Sequence, residues 1–275
     1  MAHARIIRFF AVPVIIIGIA ISGLASAAGG AGGNRHPVVP IRHVIFFIGD
    51  GMQMAHEVAA SRYLYGAGDG LEFHRFPLQL DVATWDVTTY NYWAKRRGEL
   101  PYDPNRILPW LGYNPGEGGT RPESLRKDGA NQGPRLAYLA AAATDSASAA
   151  TAWSTGFKTD DGNIAWLSGD PIDGALTTLA EQLRLEKGFA IGVVSTVPFS
   201  HATPAAHVSH NVDRDNYVAI AAEILRRFQP EVVIGGGHPK WTGKYKYLSG
   251  ADYTALKTDG LGETYVFAER RQGAD

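Results

Sequence analysis

The feature that most constrains the fold of this chain is a repeated order of short apolar runs and amphipathic segments. An apolar run at residues 44–48 is followed by Gly-Asp-Gly and then by apolar residues at helical spacing over 52–64. Further apolar runs stand at 189–197 and 230–237. Continuous apolar runs are typical of strands buried on both faces of a parallel sheet. We therefore predict an α/β fold with a mainly parallel sheet flanked by helices on both faces.

Two of the predicted helices precede the later strands and carry end signals. Residues 173–188 place leucines on one face, and Gly188 is suited to end the helix. Residues 212–228 form a second amphipathic pattern, for which Asp213 is the candidate N-cap. These positions follow the known preferences of helix termini.

The N-terminal residues have the pattern of an export signal. Arg5 and Arg8 precede an apolar run, and a small-residue Ala-Ser-Ala sequence ends at Ala27. We predict a secretory signal peptide over 1–27 and a flexible leader over 28–40. The alternative is an uncleaved membrane anchor, which is disfavoured because a span needs about 20 apolar residues. We expect a periplasmic or secreted protein with no membrane contact after cleavage.

Composition excludes several classes of function. The formal net charge is -1, so no basic excess indicates a nucleic acid as a specific partner. The chain has 0 cysteines, which excludes disulfides, thiolate chemistry and cysteine-bound zinc. A metal ion would have to be bound by carboxylates, imidazoles, hydroxyls or water.

Residues 86–140 differ from the rest of the segment 41–275, which we predict to be one domain. They are rich in Pro, Gly, Tyr, Trp and Arg and show no clear period. We predict a surface insertion that either flanks a functional site or only decorates the domain.

Asp50 is the first candidate for a chemical role. It lies between Gly49 and Gly51 at the end of the first predicted strand. A carboxylate between two glycines can approach a metal ion without steric hindrance. The simpler interpretation is an ordinary turn.

Ser146 is the second candidate. It begins a predicted helix that runs to Thr155 and stops at Gly156. The serine is either an N-cap or a nucleophile, because N–H groups at a helix N-terminus bind anions. The chain has no Gly-x-Ser-x-Gly sequence, which favours activation by a metal ion over a histidine base.

The third candidate is the stretch that follows the strand at 189–197. His201 and Thr203 alternate, and Pro204 favours an extended conformation, so both side chains would point to one side and bind a hydrated cation. Arg214 can hold a phosphate through two hydrogen bonds. Two further histidines are either metal ligands or surface and structural residues: His207 and His210.

The sequences IGDGM, TDSASAATAWSTGFKT and HATPAAHVSHNVDR together resemble the bacterial alkaline phosphatase family. The resemblance runs from about residue 41 to about residue 237, except for 86–140. It implies an α/β phosphomonoesterase with two zinc ions and one magnesium ion. It also implies a phosphoserine intermediate, phosphate monoester substrates and a homodimer.

The resemblance assigns a role to each matching residue. Ser146 would be the nucleophile and a zinc ligand, and Asp50 would bridge that zinc and the magnesium. Thr203 would bind magnesium, and Arg214 would hold two phosphate oxygens. His201 stands where some members have aspartate, and its nitrogen donor favours zinc or cobalt in the third site.

The resemblance is to the N-terminal part of the family only. The family's other zinc ligands, including Asp-x3-His and Asp-His motifs, are not found after residue 237. We expect the chain to be incomplete and, by itself, to lack one zinc site. The alternatives are an inactive remnant, a phosphate-binding fragment, and a phosphodiesterase of the same superfamily.

Overall fold

The computed structural model describes most of the chain beyond residue 40. The described residues are 41–80, 82–118, 136–258, 260–261 and 265–269. The predicted signal peptide (1–27) and leader (28–40) lie outside them. The chain divides into two compact units, Met1–Asp81 and Val82–Asp275. No helix within the described ranges has the length and apolarity that crossing a membrane requires.

Over residues 41–80, the described part of the first unit, there is one α-helix, α1 (Met54–Tyr65). It ends at Gly66, whose φ of 71° is the left-handed conformation that glycine adopts most easily. The helix predicted over 52–64 is therefore confirmed. A 3-10 turn, Glu72–Arg75, follows it.

The prediction of a strand at 44–48 is wrong. These residues are extended but form no strand, and Val44 and Phe47 are 47% and 54% exposed. A strand exists only where a neighbour accepts and donates its backbone hydrogen bonds. No described residue pairs with 44–48 in a ladder.

The second unit is rich in helices and contains a small parallel sheet. Its elements are α2 (Val87–Arg97), α3 (Pro109–Gly112), α4 (Pro115–Gly118), α5 (Leu136–Ala141), α6 (Ser146–Thr155), α7 (Leu179–Lys187), β1 (Gly192–Val194), α8 (Ala202–Ala205), α9 (Tyr217–Glu223), β2 (Val232–Ile234) and α10 (Gly250–Lys257). A π-helical turn, Ile224–Phe228, extends α9.

The sheet confirms the α/β class and the parallel pairing. β1 and β2 are parallel, with Gly192 opposite Val232 and Val194 opposite Ile234. Helices α8 and α9 lie in the connection between them, as a parallel crossover requires. The strands are shorter than their apolar runs, and the described residues form two strands rather than the larger sheet we predicted.

A glycine after β2 allows a close contact between two backbone segments. A Cβ built on Gly236 would lie 2.0 Å from the carbonyl oxygen of Thr196. The backbone of residue 236 therefore packs against the segment after β1 at a distance that only glycine allows.

The main core forms where α6 packs against α8. Both helices contribute alanines to this core, and each is at most 1% exposed: Ala147, Ala150, Ala202 and Ala205. Small side chains let the two helix backbones approach closely. Both strands and α9 contribute to the same core, through Val193, Val233, Ile220 and Ala221.

Helix α7 begins later than its apolar pattern predicts. We predicted a helix over 173–188, but it starts at Leu179. Thr178 and Glu181 form a capping box, in which each side chain accepts the other residue's N–H, at 3.2 and 2.8 Å. This local pairing fixes the start, and Gly188 ends the helix as predicted, with φ 67°.

The predicted start of α9 is also corrected. Asp213 is not the cap, because Asn216 precedes the first helical residue, Tyr217. The Asp213 carboxylate instead accepts the N–H of Asp215 at 2.8 Å. This short-range bond forms a turn and delays the helix.

The segment 86–140 is more regular than its composition suggests. It contains α2 to α4 and most of α5, and residues 119–135 within it lie outside the described ranges. Asp86 caps α2 by accepting the N–H of Thr89 at 2.6 Å. Tyr90 of α2 is 1% exposed and packs edge-on against Tyr102. Over the part described, these residues form a small aromatic cluster, and the surface insertion stays a prediction.

We predict that Thr151→Val destabilises the second unit by about 2 kcal/mol. The buried Thr151 hydroxyl donates to the carbonyl of Asn163 at 3.0 Å and accepts the N–H of Ala165 at 2.8 Å. Valine preserves the shape but leaves two buried backbone groups without these partners. Urea unfolding measures the loss.

The matched control is Thr254→Val on α10. Its exposed hydroxyl bonds only a carbonyl of its own helix, Gly250, at 2.9 Å. We expect a change within about 0.5 kcal/mol. Equal losses for the two variants would contradict the role given to Thr151.

Candidate active site

Ser146 is the first residue of α6, and Asp145 is the residue that caps this helix. The Asp145 carboxylate accepts the N–H of Ser148 at 2.8 Å. The interpretation of Ser146 as the N-cap is therefore wrong. The predicted helix bounds are confirmed, since α6 runs to Thr155 and Gly156 follows with φ 80°. The half-buried Ser146 stands at the positive end of the helix dipole.

Arg214 reaches the same place from a distant part of the chain. Its Nη1 donates to Asp145 Oδ2 at 2.8 Å, and its side chain is 23% exposed. Its backbone N–H donates to the carbonyl of Gly162 at 2.9 Å, which fixes the residue on the loop after α6. The structure thus brings Arg214 against the residue adjacent to Ser146.

Two carboxylates that our sequence analysis did not select lie beside this pair. Asp86, Asp145 and Asp161 each have a carboxylate oxygen within 4.8 Å of the others. Asp86 is 1% exposed, whereas Asp161 lies on the surface. Local patterns mark Asp86 only as a possible helix cap. Its nearness to residue 145 depends on the tertiary structure.

The three carboxyl groups have different pKa values for physical reasons. Burial raises the pKa of Asp86 above 3.8, although hydrogen bonds from Thr89 and Ser148 oppose the shift. Burial also acts to raise the pKa of Asp145, but bonds from Ser148 and Arg214 outweigh it and the net pKa is lowered. Burial and the charges of Asp145 and Asp86 raise the pKa of Asp161 to about 6.

The start of α2 docks on the loop that carries Asp161. Three hydrogen bonds join them: Lys158 Nζ to the carbonyl of Trp85 (2.6 Å), Val87 N–H to the carbonyl of Thr159 (2.8 Å) and Asp161 N–H to Thr88 Oγ1 (3.0 Å). Lys158 also lies over the Trp85 ring, 4.5 Å from its centroid. The first turn of α2 therefore contacts the loop beside Ser146 and Arg214.

His201 and Thr203 do not form the extended pair that we predicted. His201 precedes α8, and Thr203 is its second residue. Pro204 is tolerated because it lies in the first helical turn, where an N–H has no partner within the helix. The His201 ring stacks on Tyr217, with centroids 5.9 Å apart. Helix α8, which carries Thr203, contacts α6, the helix that Ser146 begins.

Asp50 lies in the other compact unit. It is exposed in a turn closed by a 3.0 Å hydrogen bond from the Met52 N–H to the carbonyl of Gly49. Gly51 supplies the left-handed conformation of this turn, with φ 68°. The turn interpretation is confirmed, and the metal-ligand role stays a prediction.

His210 has a structural role. Its ring nitrogens bond Glu223 Oε1 and the carbonyl of Leu176, both at 3.0 Å. Burial acts to lower the His210 pKa, but the Glu223 hydrogen bond and the charges of Glu181 and Glu223 outweigh it, so the net pKa is raised. Burial lowers the pKa of His207 to about 4, so its imidazole is neutral near pH 7.

Comparison with known proteins identifies relatives of part of this chain. A family model described as "Alkaline phosphatase" matches residues 135–260. Streptomycin-6-phosphate phosphatase of Streptomyces griseus is 30% identical over 72% of this chain and 33% of its own length. Alkaline phosphatase 3 of Bacillus subtilis (strain 168) is 36% identical over 38% of this chain and 23% of its own length.

Among solved structures, a cold-active alkaline phosphatase from Shewanella sp. is 40% identical over 43% of this chain and 27% of its own, with a TM-score of 0.36. The chain thus spans a third or less of the length of these three relatives.

We predict that Glu223→Gln lowers the His210 pKa, as measured by NMR titration of the imidazole. A raised histidine pKa stabilises the fold below 6.5, and this contribution is lost as pH rises through the raised value. A lowered Glu223 pKa stabilises the fold above 4.5, and this contribution is lost as pH falls through the lowered value. The variant should therefore lose most stability between 4.5 and 6.5.

Glu231→Gln is the matched control, because Glu231 pairs with Arg184 at 2.7 Å rather than with a histidine. Its cost should persist at about pH 8.5, since arginine stays charged there. If Glu223→Gln lowers the free energy of unfolding as much at about pH 8.5 as at about pH 5.5, the ion pair with His210 is not the cause of that loss.

Proposed function

We propose that the protein hydrolyses phosphate monoesters through a phosphoserine on Ser146, on the basis of the alkaline phosphatase family model that matches residues 135–260. One observation carries the proposal. Arg214 is hydrogen-bonded at 2.8 Å to Asp145, the residue that precedes Ser146 and caps its helix. This bond supports the proposal, because it brings a cation against the residue next to the Ser146 hydroxyl.

The residues of this site suit a phosphate dianion. A helix N-terminus directs N–H groups and positive potential towards an anion. The Arg214 guanidinium has five N–H donors, and the bond to Asp145 uses one nitrogen. Its other donors would hold two phosphoryl oxygens in a fixed orientation.

The proposed reaction has two displacement steps. The Ser146 hydroxyl gives its proton to solvent and its oxygen forms a bond to phosphorus while the bond to the ester oxygen breaks, and the alcohol leaves with a proton from solvent. A water oxygen then forms a bond to phosphorus while the bond from phosphorus to the Ser146 oxygen breaks. One proton of that water is transferred to the Ser146 oxygen through solvent, and inorganic phosphate leaves. Arg214 neutralises charge on the phosphoryl oxygens in both steps.

Four residues would hold metal ions in this proposal: Asp50, Ser146, His201 and Thr203. They offer three oxygen donors and one nitrogen donor. By ligand type alone, carboxylate and threonine oxygens suit a magnesium ion, and an imidazole favours zinc or cobalt. A bound cation supplies Lewis acidity that lowers the pKa of a hydroxyl. We propose that two zinc ions and one magnesium ion are bound when all the metal ligands of the family are present.

The location, the oligomeric state and the substrates of the enzyme are part of the same proposal. The N-terminal pattern at 1–27 supports export to the periplasm or the medium. The family resemblance supports a homodimer that acts on small phosphate monoesters, and one relative is named for streptomycin-6-phosphate.

The decisive variant is Ser146→Ala in the full chain supplied with zinc and magnesium. We expect hydrolysis of p-nitrophenyl phosphate to fall at least ~10³-fold, because the covalent step is lost. Mass spectrometry of acid-quenched wild-type protein should find phosphate on Ser146. Ser154→Ala is the control, since its hydroxyl, in the same helix, donates to the Thr151 carbonyl at 3.3 Å.

The alternatives give different results in the same assay. Preferential cleavage of bis(p-nitrophenyl) phosphate indicates a phosphodiesterase. A folded chain that binds phosphate without turnover is a phosphate-binding fragment. A folded chain with no bound zinc, no phosphate binding and no turnover is an inactive remnant, and this result refutes the proposed activity.

Arg214→Lys is predicted to weaken inorganic phosphate binding by about 10- to 100-fold, because lysine cannot form a two-pronged contact. Isothermal calorimetry measures the affinity. Arg226→Lys is the control, since Arg226 pairs with Asp252 at 2.6 Å on another part of the unit. Equal affinity for wild type and Arg214→Lys would remove Arg214 from the phosphate site.

A further inference from the structure

Asp86 reaches the Ser146 helix from the start of α2, more than fifty residues earlier in the chain. One of its oxygens, Oδ1, accepts the N–H of Thr89 at 2.6 Å and caps α2. The other, Oδ2, lies 3.3 Å from the hydroxyl oxygen of Ser148. Asp86 and Ser148 are each 1% exposed. A buried carboxyl group thus contacts a buried hydroxyl on α6.

The Ser148 hydroxyl joins Asp86 to Asp145. It lies 2.6 Å from Asp145 Oδ1, much closer than to Asp86. A hydroxyl has one proton to donate, so the short distance indicates donation to Asp145. Asp86 Oδ2 is the second and more distant acceptor of the same hydroxyl, so the Ser148 oxygen is held between the two carboxyl groups.

The two oxygens of Asp145 have separate partners. Oδ1 accepts both the N–H and the hydroxyl of Ser148, at 2.8 and 2.6 Å. Oδ2 accepts Nη1 of Arg214 at 2.8 Å. Because two bonds fix Oδ1, the plane of the carboxylate is fixed and Oδ2 is directed at the guanidinium. The orientation of Arg214 therefore depends on the Ser148 hydroxyl.

We infer that Asp86 is a positioning residue for the phosphate-binding arginine: it holds the Ser148 hydroxyl on Asp145, and Asp145 in turn orients Arg214. The phosphate-binding role of Arg214 rests on the proposed function, whereas the network of bonds does not. The inference gives the first residues of the segment 86–140 a direct connection to the site.

Other charged groups also face Asp86. Burial lowers the pKa of Lys158 and the charge of Asp86 opposes this shift, and the charge of Asp86 also raises the pKa of Asp161. Asp86→Ser and Asp86→Asn both remove this charge, so a difference between these two variants reports the contact with Ser148, and Ser148→Ala leaves the charge in place.

Three variants separate the contact between Asp86 and Ser148, called the bridge below, from the capping of α2 by Asp86. Asp86→Ser keeps an oxygen for the α2 cap but is too short to reach Ser148 as well. Asp86→Asn can cap with its oxygen and donate its NH₂ group to Ser148, so it should rescue the bridge. Ser148→Ala removes the bridging hydroxyl, and Ser154→Ala is its matched control in the same helix.

The first readout is the Arg214 Nε–Hε signal in ¹H–¹⁵N NMR spectra of the full chain. We expect its exchange with solvent to become about fivefold faster in Asp86→Ser and Ser148→Ala, which corresponds to one lost hydrogen bond. Asp86→Asn and Ser154→Ala should match wild type. The double variant Asp86→Ser/Ser148→Ala should equal either single variant, because both act through one bond path.

The second readout is the affinity for inorganic phosphate, which should weaken by a similar factor in the same two variants. If wild type binds no phosphate, the proposed function fails, and the Arg214 signal still decides the inference. An unchanged Arg214 signal in folded Asp86→Ser overturns the inference. An effect of Asp86→Ser that adds fully to that of Ser148→Ala also overturns it.

Discussion

The carboxylate of Asp145 is the interaction on which the candidate site depends. It caps α6, so it sets where the helix begins and hence where Ser146 stands. It also holds the guanidinium of Arg214 at 2.8 Å. One side chain thus satisfies a helix terminus and neutralises a half-buried cation. Hydrogen bonds from both partners keep it ionised, since its pKa is lowered in spite of burial.

The packing around α6 explains how this carboxylate is held in place. Alanines on α6 and α8 let the two helices meet closely, and the buried Thr151 hydroxyl ties the following loop to α6. That loop carries Gly162, whose carbonyl fixes the backbone of Arg214. Helix, loop and arginine are therefore one connected arrangement, to which the first turn of α2 adds Asp86.

Local signals in the sequence were sufficient for parts of this arrangement. The bounds of α6 and the glycines that end α6 and α7 were predicted correctly, because caps and left-handed glycines act within a few residues. The starts of α7 and α9 were not, since the Thr178–Glu181 box and the Asp213 turn outweigh apolar periodicity there. The predicted strand at 44–48 failed because pairing needs a neighbour that periodicity cannot supply.

The sequence by itself determined the similarity of residues 135–260 to the alkaline phosphatase family model, the helix that begins at Ser146 and the absence of cysteine chemistry. These depend on residue identity and short-range spacing. Only the tertiary structure decided that Asp86 and Asp161 lie beside Asp145, and that Arg214 bonds Asp145 across 69 residues of chain. Such contacts arise from packing between distant segments, whose mutual positions no local pattern encodes.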